Sequence, residues 1–334
     1  MKTVIAFGAG SYYQNNREKI DKEYDIVAFC DNAPEKIGAI FFGKPIISVD
    51  NINEYGDEIE ILITTPTPRY RYEIIAQLIE LGIHANRIQI IQSWWMEGCC
   101  TSVRVVETGL EVCISGIKML LTNAVEEMIC REIWYGDDYN VNLPSDSVVI
   151  DIGMNVGYAT LFFANKSFVK KIYAFEPDLD VYEKAVKHIE MNEHIANKVV
   201  SYNLACSDCN KEEVYVIDER KSAGIHIAGE NEKDSLTKVV KCVDASEVIG
   251  NIVKEHYGKN RIVMKCDCEG AEYEIFSRLE ETGLFEKIDV FVMEWHLGRR
   301  TEIEMLFARN NYTYHIFTTP GRDFGKCFAF KCER

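Results

Sequence analysis

Apolar runs and amphipathic stretches alternate along the chain, a pattern that favours parallel sheets built from βαβ units. The clearest run covers residues 148–152, ends in Asp-x-Gly-x-Asn-x-Gly and passes directly into a helical pattern at residues 158–164. A second run, residues 171–175, ends at Glu176 about one βα unit later. We therefore expect two neighbouring strands whose carboxyl ends converge on one crevice.

The residues at these two strand ends indicate a site for an adenosine-bearing ligand. Gly153 and Gly157 remove side chains where the backbone would approach a ligand closely. Glu176 stands where doubly wound folds place an acid on ribose hydroxyls. The glycine turn joined to a correctly spaced acid is a much more specific signal than the turn alone. The alternative is a Rossmann-like scaffold that binds no ligand.

Charged residues mark two further apolar runs. Period-two alternation places Lys265, Asp267 and Glu269 on one face of a strand, and it aligns Glu294 with His296 on another. Because the carboxyl ends of parallel strands face the ligand crevice, both groups should border the reacting atoms. The same side chains could hold a hard divalent ion, and spacing does not distinguish a metal cage from a hydrogen-bonded acid cluster. We predict that no metal is bound.

The N-terminal part repeats this arrangement in a looser form. Gly8 and Gly10 lie in a turn after a short apolar run, and the next run ends at Asp31, where a ribose-binding acid would lie. Tyr13 stands where the dinucleotide fingerprint has its third glycine, so a nicotinamide dinucleotide is disfavoured. We expect a small βαβ domain that ends near Gln92.

Length and charge narrow the class of protein. A chain of 334 residues exceeds the usual size of one core, so two domains are expected. The net charge of −16 opposes nonspecific binding to nucleic acid or anionic lipid. The 12 cysteines are scattered without a disulfide framework, and no apolar run is long enough to span a membrane. These features predict a reduced, cytoplasmic protein without a membrane span.

Four successive motifs resemble those of the FkbM-type methyltransferases over about residues 120–334. They are Asp151-x-Gly153-x-Asn155-x-Gly157-x-x-Thr160, Phe175-Glu176-Pro177, Lys265-x-Asp267-x-Glu269-Gly270-Ala271-Glu272 and Glu294-x-His296. The resemblance implies an α/β protein whose C-terminal domain has the class I methyltransferase fold, a seven-stranded, mostly parallel sheet with a terminal antiparallel hairpin. It also implies S-adenosylmethionine as the cofactor and, usually, methyl transfer to an oxygen.

The N-terminal segment resembles the small Rossmann-like domains of sugar-modifying acyltransferases, which hold a nucleotide-sugar. The matching residues are Gly8-Ala9-Gly10, Cys30-Asp31-Asn32 and Gly43-Lys44-Pro45-Ile46-Ile47. This likeness implies a second nucleotide site formed by Gly8, Gly10 and Asp31. The alternative is a docking or oligomerisation domain without a ligand. The fold prediction is thus two Rossmann-like domains, at residues 1–95 and 146–334, joined by a helical linker or lid at residues 96–145.

Roles for the remaining candidates follow from the resemblance and from the chemistry of each side chain. The methionine group is assigned to Asp151, Gly153, Asn155 and Gly157, the ribose to Glu176, the adenine to Ser207 and Asp208, and a lid or acceptor contact to Glu132, Tyr139, Glu269 and Glu294. Trp134 and Tyr139 could instead only cover the sheet edge. Asp267 and His296 are the candidate bases, and His296 is favoured because imidazole titrates near neutrality. Asp267 would then orient the acceptor or contact the sulfonium side, and Lys265 would pair with a carboxylate.

Paired β segments at residues 213–217 and 237–243, joined by a polar loop, would cover the acceptor. The sequence therefore predicts an O-methyltransferase that acts on a carbohydrate or carbohydrate-linked hydroxyl. The alternatives are methylation of a polyketide-like small metabolite, or regulatory S-adenosylmethionine binding beside an N-terminal interaction module. The expected partners are a small-molecule or glycan acceptor, a nucleotide-sugar at the N-terminal domain and, as an open alternative, a second copy of the chain.

Overall fold

The structure is a computed structural model, and it describes residues 1–91, 100–136, 138–141, 146–218, 224–227 and 237–332. The chain divides into two compact units, Met1–Arg131 and Glu132–Arg334. The predicted domain boundaries at residues 95 and 145 both lie outside the described residues.

The first unit is built on a six-stranded sheet, as expected for a Rossmann-like domain. Its strands are β1 (Lys2–Phe7), β2 (Tyr24–Cys30), β3 (Ile40–Phe41), β4 (Lys44–Ile47), β5 (Glu60–Ile63) and β6 (Ile88–Ile90), with helices α1 (Ser11–Glu23) and α2 (Pro68–Glu80). The strand order is β3-β4-β2-β1-β5-β6, and only β3 and β4 pair antiparallel. Tyr13 is buried against Phe29, with ring centroids 4.7 Å apart, so a large ring fills the helix-to-strand contact that a third glycine would leave narrow.

A small antiparallel sheet follows in the region predicted to be a helical linker. Its strands are β7 (Cys100–Val106), β8 (Gly109–Ile114) and β9 (Ile117–Leu121), in that order, and helix α3 (Ala124–Trp134) comes after them. The helical prediction is therefore right for α3 and wrong for residues 100–121. Alternate residues from Leu110 to Leu121 are fully buried, which is the period of a half-buried strand. Asn123 caps α3, because its Oδ1 accepts from the N–H groups of Val125 and Glu126.

A buried ion pair fastens α3 to α2 within the first unit. Arg71 and Glu127 are each 1% exposed, and Arg71 Nη1 donates to the two carboxylate oxygens at 3.0 and 2.7 Å. Arg71 Nη2 also donates to the carbonyl of Pro66 at 3.0 Å. This pairing explains why residues up to Arg131 belong to the first unit and are not a solvated linker.

Arg71→Ala is expected to lower the free energy of unfolding by about 3–5 kcal/mol, because it leaves a buried carboxylate without its main partner. Urea unfolding of the full chain followed by circular dichroism measures this loss. Arg69→Ala is the matched control on the same helix, since its pair with Glu73 is exposed and should contribute below about 1 kcal/mol. A loss for Arg71→Ala no larger than that of the control would contradict the prediction.

The second unit contains two sheets and six helices among the described residues. Its strands are β10 (Ser147–Ile152), β11 (Val169–Phe175), β12 (Val199–Tyr202), β13 (Ala205–Ser207), β14 (Lys211–Asp218), β15 (Gly224–Ile227), β16 (Thr237–Asp244), β17 (Arg261–Cys266), β18 (Val290–Trp295), β19 (Tyr312–Ile316) and β20 (Gly325–Lys331). Its helices are α4 (Tyr158–Ala164), α5 (Leu179–Glu190), α6 (Glu193–Ala196), α7 (Ala245–His256), α8 (Glu272–Glu281) and α9 (Arg300–Arg309).

The main sheet has the order β12-β11-β10-β17-β18-β20-β19. Five strands run parallel, and β20 is antiparallel to both β18 and β19. This arrangement confirms the predicted seven-stranded sheet with its terminal antiparallel hairpin. Strand β10 is fully buried and has β11 on one side and β17 on the other, so the chain reverses its direction of travel across the sheet at β10.

The four smaller strands form a separate sheet in the order β13-β16-β14-β15. The predicted pairing of residues 213–217 with residues 237–243 is confirmed as the antiparallel pair β14 and β16. Residues 219–223 and 228–236, including Gly229 of the predicted polar loop, lie outside the described residues. Within the described ranges, every helix falls short of the length and apolarity that a membrane crossing requires.

An aromatic cluster holds α8 and α9 against β18. Its members are Phe276, Phe285, Phe291, Phe307 and Tyr312, which are all buried and have ring centroids 4.6–6.5 Å apart. Aromatic burial of this extent stabilises a rigid core. It fixes the carboxyl end of β18 relative to the start of α8.

Candidate active site

Four neighbouring strands of the second unit end at one edge of the sheet. Ile152 of β10 pairs with Phe175 of β11 and with Cys266 of β17, and Cys266 pairs with Met293 of β18. The segments that follow these strands therefore meet at the point where the strand order reverses, which is the usual ligand crevice of such sheets. The structure brings together here the predicted residues Gly153, Asn155, Glu176, Asp267, Glu269, Glu294 and His296.

The glycine loop is shaped by contacts within the protein. Gly153, Asn155 and Gly157 all have left-handed backbone angles, with φ of 81°, 52° and 89°. A Cβ at Gly153 would lie 1.8 Å from the carbonyl oxygen of Asp267, and one at Gly157 would lie 3.3 Å from the Cβ of Ala185. These glycines are therefore required by the close approach of neighbouring elements. Their contact with a ligand remains a prediction.

Glu176 is the acid at the end of β11, and it is 6% exposed. Its Oε2 accepts from the Asn155 N–H at 2.8 Å, and its Oε1 accepts from the Asp178 N–H at 2.9 Å. Burial raises the pKa of Glu176 to about 7, although these two backbone donors oppose the rise. A carboxylate has about four lone-pair positions, so two remain for hydroxyl donors. Glu176 thus holds the glycine loop and can still accept from a ribose.

Asp151 and Lys265 form the buried base of the site. The Asp151 carboxylate has no exposed surface, its Oδ2 accepts from Thr160 Oγ1 at 2.5 Å, and its Oδ1 lies 3.1 Å from Lys265 Nζ. Lys265 Nζ also donates to the carbonyl of Gly153 at 2.5 Å. Burial alone would lower the pKa of Lys265, but the nearby carboxylates of Asp151 and Asp267 raise it overall. The predicted ion pair of Lys265 is present, whereas Asp151 supports the loop and offers no surface to the predicted methionine contact.

Ser207 and Asp208 lie at the end of the small sheet, where β13 pairs with β16. Ser207 is buried and its Oγ lies 3.1 Å from Asp208 Oδ1, while Asp208 also forms an ion pair with Lys211 at 3.4 Å. Their adenine contact remains a prediction. Sequence reasoning missed Asn203, whose Nδ2 donates to the carbonyls of Glu176 and Pro177 at 2.9 and 3.0 Å. Asn203 directly follows the strand β12, and a polar residue at a strand end is the sequence feature that could have identified it.

A histidine ringed by carboxylates occupies the ends of β17 and β18. His296 Nδ1 is hydrogen-bonded to Glu272 Oε1. On the other side of the ring, Nε2 lies 3.9 Å from Asp267 Oδ1, 3.9 Å from Glu269 Oε2 and 3.8 Å from Glu294 Oε1. These three distances exceed a hydrogen bond. The three acidic side chains are 29%, 36% and 21% exposed, so the space between them and Nε2, which we call the gap, is open to solvent on their side. We call these five side chains the His296 cluster.

The sequence predicted that alternation along two strands aligns these side chains, but most of the cluster lies outside the strands. Strand β17 ends at Cys266, and Asp267 and Glu269 belong to the following loop, where Glu269 has a left-handed φ of 55°. Only Glu294 lies within its strand, and His296 follows directly after β18. A non-glycine residue in this backbone region is uncommon and is typical of functional loops.

Charges within the cluster move two pKa values above neutrality. Burial tends to lower the pKa of His296, but Glu272 and then Asp267 and Glu269 outweigh it and raise that pKa to about 9. Burial and the Asp267 charge raise the pKa of Glu294 to about 8. The acidic neighbours thus favour the protonated imidazole, whereas the predicted role of His296 as a base needs its neutral form.

The predicted lid residues differ in their relation to the cluster. Tyr139 is 9% exposed and donates from its hydroxyl to Asp267 Oδ2 at 3.2 Å, while burial and the Asp267 charge raise its pKa. Glu132 is exposed as a whole residue, but its carboxyl group is partly covered, and this desolvation together with the charge of Asp138 raises its pKa. Trp134 packs edge-on against Phe162 with ring centroids 5.4 Å apart. Tyr139 thus reaches the cluster, and Trp134 covers α4.

The acidic and cysteine side chains of the chain are also potential metal ligands or disulfide partners. Within the described ranges, no group of three or more His, Cys, Asp or Glu side chains has the arrangement of a metal site. All cysteines in that part of the chain are free thiols. The absence of a bound metal remains a prediction.

In the predicted nucleotide site of the first unit, the carboxylate of Asp31 already accepts hydrogen bonds from the protein itself. Asp31 Oδ2 accepts from the Ala9 N–H at 3.0 Å and from Lys36 Nζ at 2.8 Å, and Oδ1 accepts from the Ala33 N–H at 3.0 Å. Gly8, with φ of 119°, has no room for a Cβ beside Thr64 Oγ1. Gly10 is the N-terminal cap residue of α1, and no side chain accepts a hydrogen bond at this helix start in the described residues. A ribose at Asp31 would have to compete with Lys36, and a nucleotide-sugar here remains a prediction.

Comparison with known proteins identifies both parts of the chain. Residues 151–315 match the FkbM domain family of methyltransferases, and residues 1–89 match the C2185-like N-terminal family. The chain carries an FkbM methyltransferase domain. The matched range of this FkbM domain includes the glycine loop, Glu176 and the whole His296 cluster, and it excludes Glu132 and Tyr139.

Individual relatives are distant. Methyltransferase sdnD of Sordaria araneosa is 26% identical over 211 residues, which cover 56% of this chain and 82% of sdnD. AMB antimetabolite synthetase AmbE of Pseudomonas aeruginosa is 22% identical over 276 residues, or 67% of this chain but only 13% of AmbE. The crystal structure of a methyltransferase FkbM from Methylobacillus flagellatus is 12% identical, covers 98% of this chain and 90% of that chain, and has a TM-score of 0.40.

Proposed function

We propose that this chain is an S-adenosylmethionine-dependent O-methyltransferase that methylates a hydroxyl of a carbohydrate or carbohydrate-linked molecule. The observation that carries the proposal is the placement of a buried ribose acid, Glu176, and of the His296 cluster at the ends of neighbouring strands. When bound, S-adenosylmethionine supplies an electrophilic methyl group. The chain supplies the binding of both reactants and a place for the hydroxyl proton.

The residues at the end of β10 and β11 fit the cofactor. Glu176 is buried, is anchored by two backbone donors, and retains lone pairs for two ribose hydroxyls. Asn203 orients the backbone of the same turn through two hydrogen bonds. We assign ribose binding to Glu176, and we assign contacts with the rest of the cofactor to the loop from Gly153 to Gly157.

The charge of the His296 cluster favours an acceptor that is rich in hydroxyl donors. Asp267, Glu269 and Glu294 direct carboxylate oxygens towards the gap at Nε2, and each can accept hydrogen bonds from hydroxyl groups. A phosphate or carboxylate placed in the same gap would be repelled by the carboxylates of Asp267 and Glu269. A polyol such as a sugar satisfies several of these acceptors at once, and a metabolite with one isolated hydroxyl does not.

Proton transfer at this site uses the chain's own groups. A base must lie within about 2.6–3.2 Å of the hydroxyl proton that it takes. The gap beside His296 Nε2 allows such an approach when the ring is neutral, and Asp267, held by the Tyr139 hydroxyl, is placed to orient the same hydroxyl. His296 is thus our assigned base and Asp267 our assigned acceptor-orienting residue.

The affinity for S-adenosylmethionine is expected to increase by about tenfold between pH 6 and pH 8. Ribose hydroxyls donate to the ionised carboxylate, and Glu176 with a pKa of about 7 is mostly protonated at pH 6 and mostly ionised at pH 8. Isothermal titration calorimetry of the full chain across this range measures the change. Glu176→Gln, which cannot ionise, should remove most of the dependence. Equal wild-type affinity at both pH values would contradict the prediction.

The catalytic proposal is tested by transfer of a tritiated methyl group from S-adenosylmethionine. The full chain is incubated with neutral hexosides, nucleotide-sugars, sugar acids and hydroxylated polyketides, and His296→Gln serves as the inactive reference. We expect labelling of neutral sugars or of the sugar part of nucleotide-sugars. Labelling of polyketides alone would support the second acceptor class. Tight cofactor binding without transfer to any compound would favour a regulatory protein. Cytoplasmic location and assembly with a second copy remain predictions.

A further inference from the structure

Glu272 is a buried carboxyl group that sequence reasoning did not place in the site. It is the first residue of α8, has no exposed surface, and its Oε1 is hydrogen-bonded to His296 Nδ1. Its other oxygen, Oε2, has no hydrogen-bond partner among the described residues. A buried carboxylate is costly unless it is paired, so its contact with the imidazole is its principal compensation.

The backbone and ring of His296 are held from the same side. The hydroxyl of Tyr273, the next residue of α8, donates to the His296 carbonyl at 2.5 Å. The Arg299 guanidinium lies 3.8 Å above the Tyr273 ring and fixes that tyrosine in turn. Phe324 stacks on the imidazole with ring centroids 6.1 Å apart. With the aromatic core fixing α8 against β18, the ring has one defined orientation.

We propose that Glu272 is a positioning residue that holds His296 by Nδ1, so that Nε2 is the atom that meets the acceptor hydroxyl. The inference rests on the proposed methyl transfer, in which His296 takes the hydroxyl proton. Because a neutral imidazole has one donor and one acceptor nitrogen, a carboxylate at Nδ1 places the ring proton there and leaves the Nε2 lone pair towards the gap. Glu272 also stabilises the imidazolium that forms after proton transfer.

Glu272 differs from the other charged groups that face His296. These groups are Asp267 and Glu269 from the loop after β17, Glu294 on β18, Lys326 on β20 opposite Glu294, and Arg299 at the start of α9 beside Tyr273. The three carboxylates lie 3.8–3.9 Å from Nε2, beyond hydrogen-bond distance. Among these groups of the described residues, only Glu272 is hydrogen-bonded to the imidazole, so its replacement should release the ring orientation.

The test is a proton NMR titration of the His296 ring in the full chain, with the signal assigned by its absence in His296→Gln. We expect the wild-type midpoint to lie near pH 9, and we expect Glu272→Gln to lower it by about one unit or more, because the largest favourable charge is removed. Glu274→Gln is the matched control on the same helix, since Glu274 is about half exposed and its ion pair is with Lys211. The control should leave the midpoint unchanged.

Activity supplies the second readout once an acceptor is known. Glu272→Gln should reduce kcat by about 100-fold or more with the affinity for S-adenosylmethionine unchanged, and Glu272→Asp, which keeps the charge, should recover part of both kcat and the midpoint. If Glu272→Gln does not fold, Glu272→Asp provides the test. The midpoint of its His296 titration should lie below the wild-type value but by less than about one unit. A midpoint in the folded variant within about 0.3 units of wild type would overturn the proposal. Absence of methyl transfer in the wild type would defeat the proposed function and leave the NMR result on Glu272 intact.

Discussion

Glu176→Ala is expected to weaken the binding of S-adenosylmethionine by at least about 100-fold. Two hydrogen bonds to a charged acceptor are lost, and each contributes about 1.5–3 kcal/mol. The substitution also removes the acceptor for the Asn155 and Asp178 N–H groups, so the glycine loop loses its tie to β11. Calorimetric titration of the full chain measures the change in affinity.

A matched control separates this effect from a general loss of the α5 region. Asp180→Ala removes another carboxylate at the start of α5, one that is 77% exposed and paired with Lys238. It should leave the affinity within about twofold of wild type. Circular dichroism confirms that both variants remain folded. An unchanged affinity in folded Glu176→Ala would show that the cofactor does not use this acid.

Gly153→Ala is expected to lower the free energy of unfolding by about 2–5 kcal/mol and to abolish cofactor binding. The left-handed backbone costs about 1–2 kcal/mol for alanine, and overpacking adds about 1–3 kcal/mol. Here the new Cβ would stand 1.8 Å from the carbonyl oxygen of Asp267, so β10 and the loop after β17 must separate. Urea unfolding and calorimetry measure the two effects.

Gly258→Ala is the control for backbone conformation alone. Gly258 has nearly the same φ, 78°, but no atom lies within 4 Å of the added Cβ. Gly258→Ala should therefore lower the free energy of unfolding by only about 1–2 kcal/mol and leave cofactor binding intact. If both alanine variants lowered the free energy of unfolding equally, the close approach of Gly153 to the Asp267 carbonyl would make no separate contribution to stability.

Local patterns were sufficient to predict the strands that build the site. The apolar run of β10, its glycine turn and the acid after β11 are short-range features, and the structure has them where they were expected. The alternation at residues 110–121 was equally local, yet it was missed because the helical signal of α3 dominated the interpretation of that region. The terminal hairpin, marked by two apolar strands near the end of the chain, was predicted correctly.

Pairings between distant residues were not predictable in this way. Glu272 and His296 are 24 positions apart, and Arg71 and Glu127 are 56 apart. Neither pair has a spacing rule that single-sequence reasoning can use. The lysine partners of Asp31 and Asp151 were equally unpredictable, since Lys36 and Lys265 reach these acids only in the folded units, and the ligand contacts of both acids stay predictions.

The order of apolar runs, glycines and acids in the chain is enough to predict the α/β architecture, the strand-end crevice and the position of Glu176 at the end of β11. These follow from backbone geometry and burial, which act over a few residues. The hydrogen bond between Glu272 and His296, the carboxylates around His296 Nε2 and the burial of Asp151 against Lys265 were decided only when the strands came together. Electrostatic environment depends on which charges lie within a few ångströms in space, and the folded arrangement alone brings those charges to the same place.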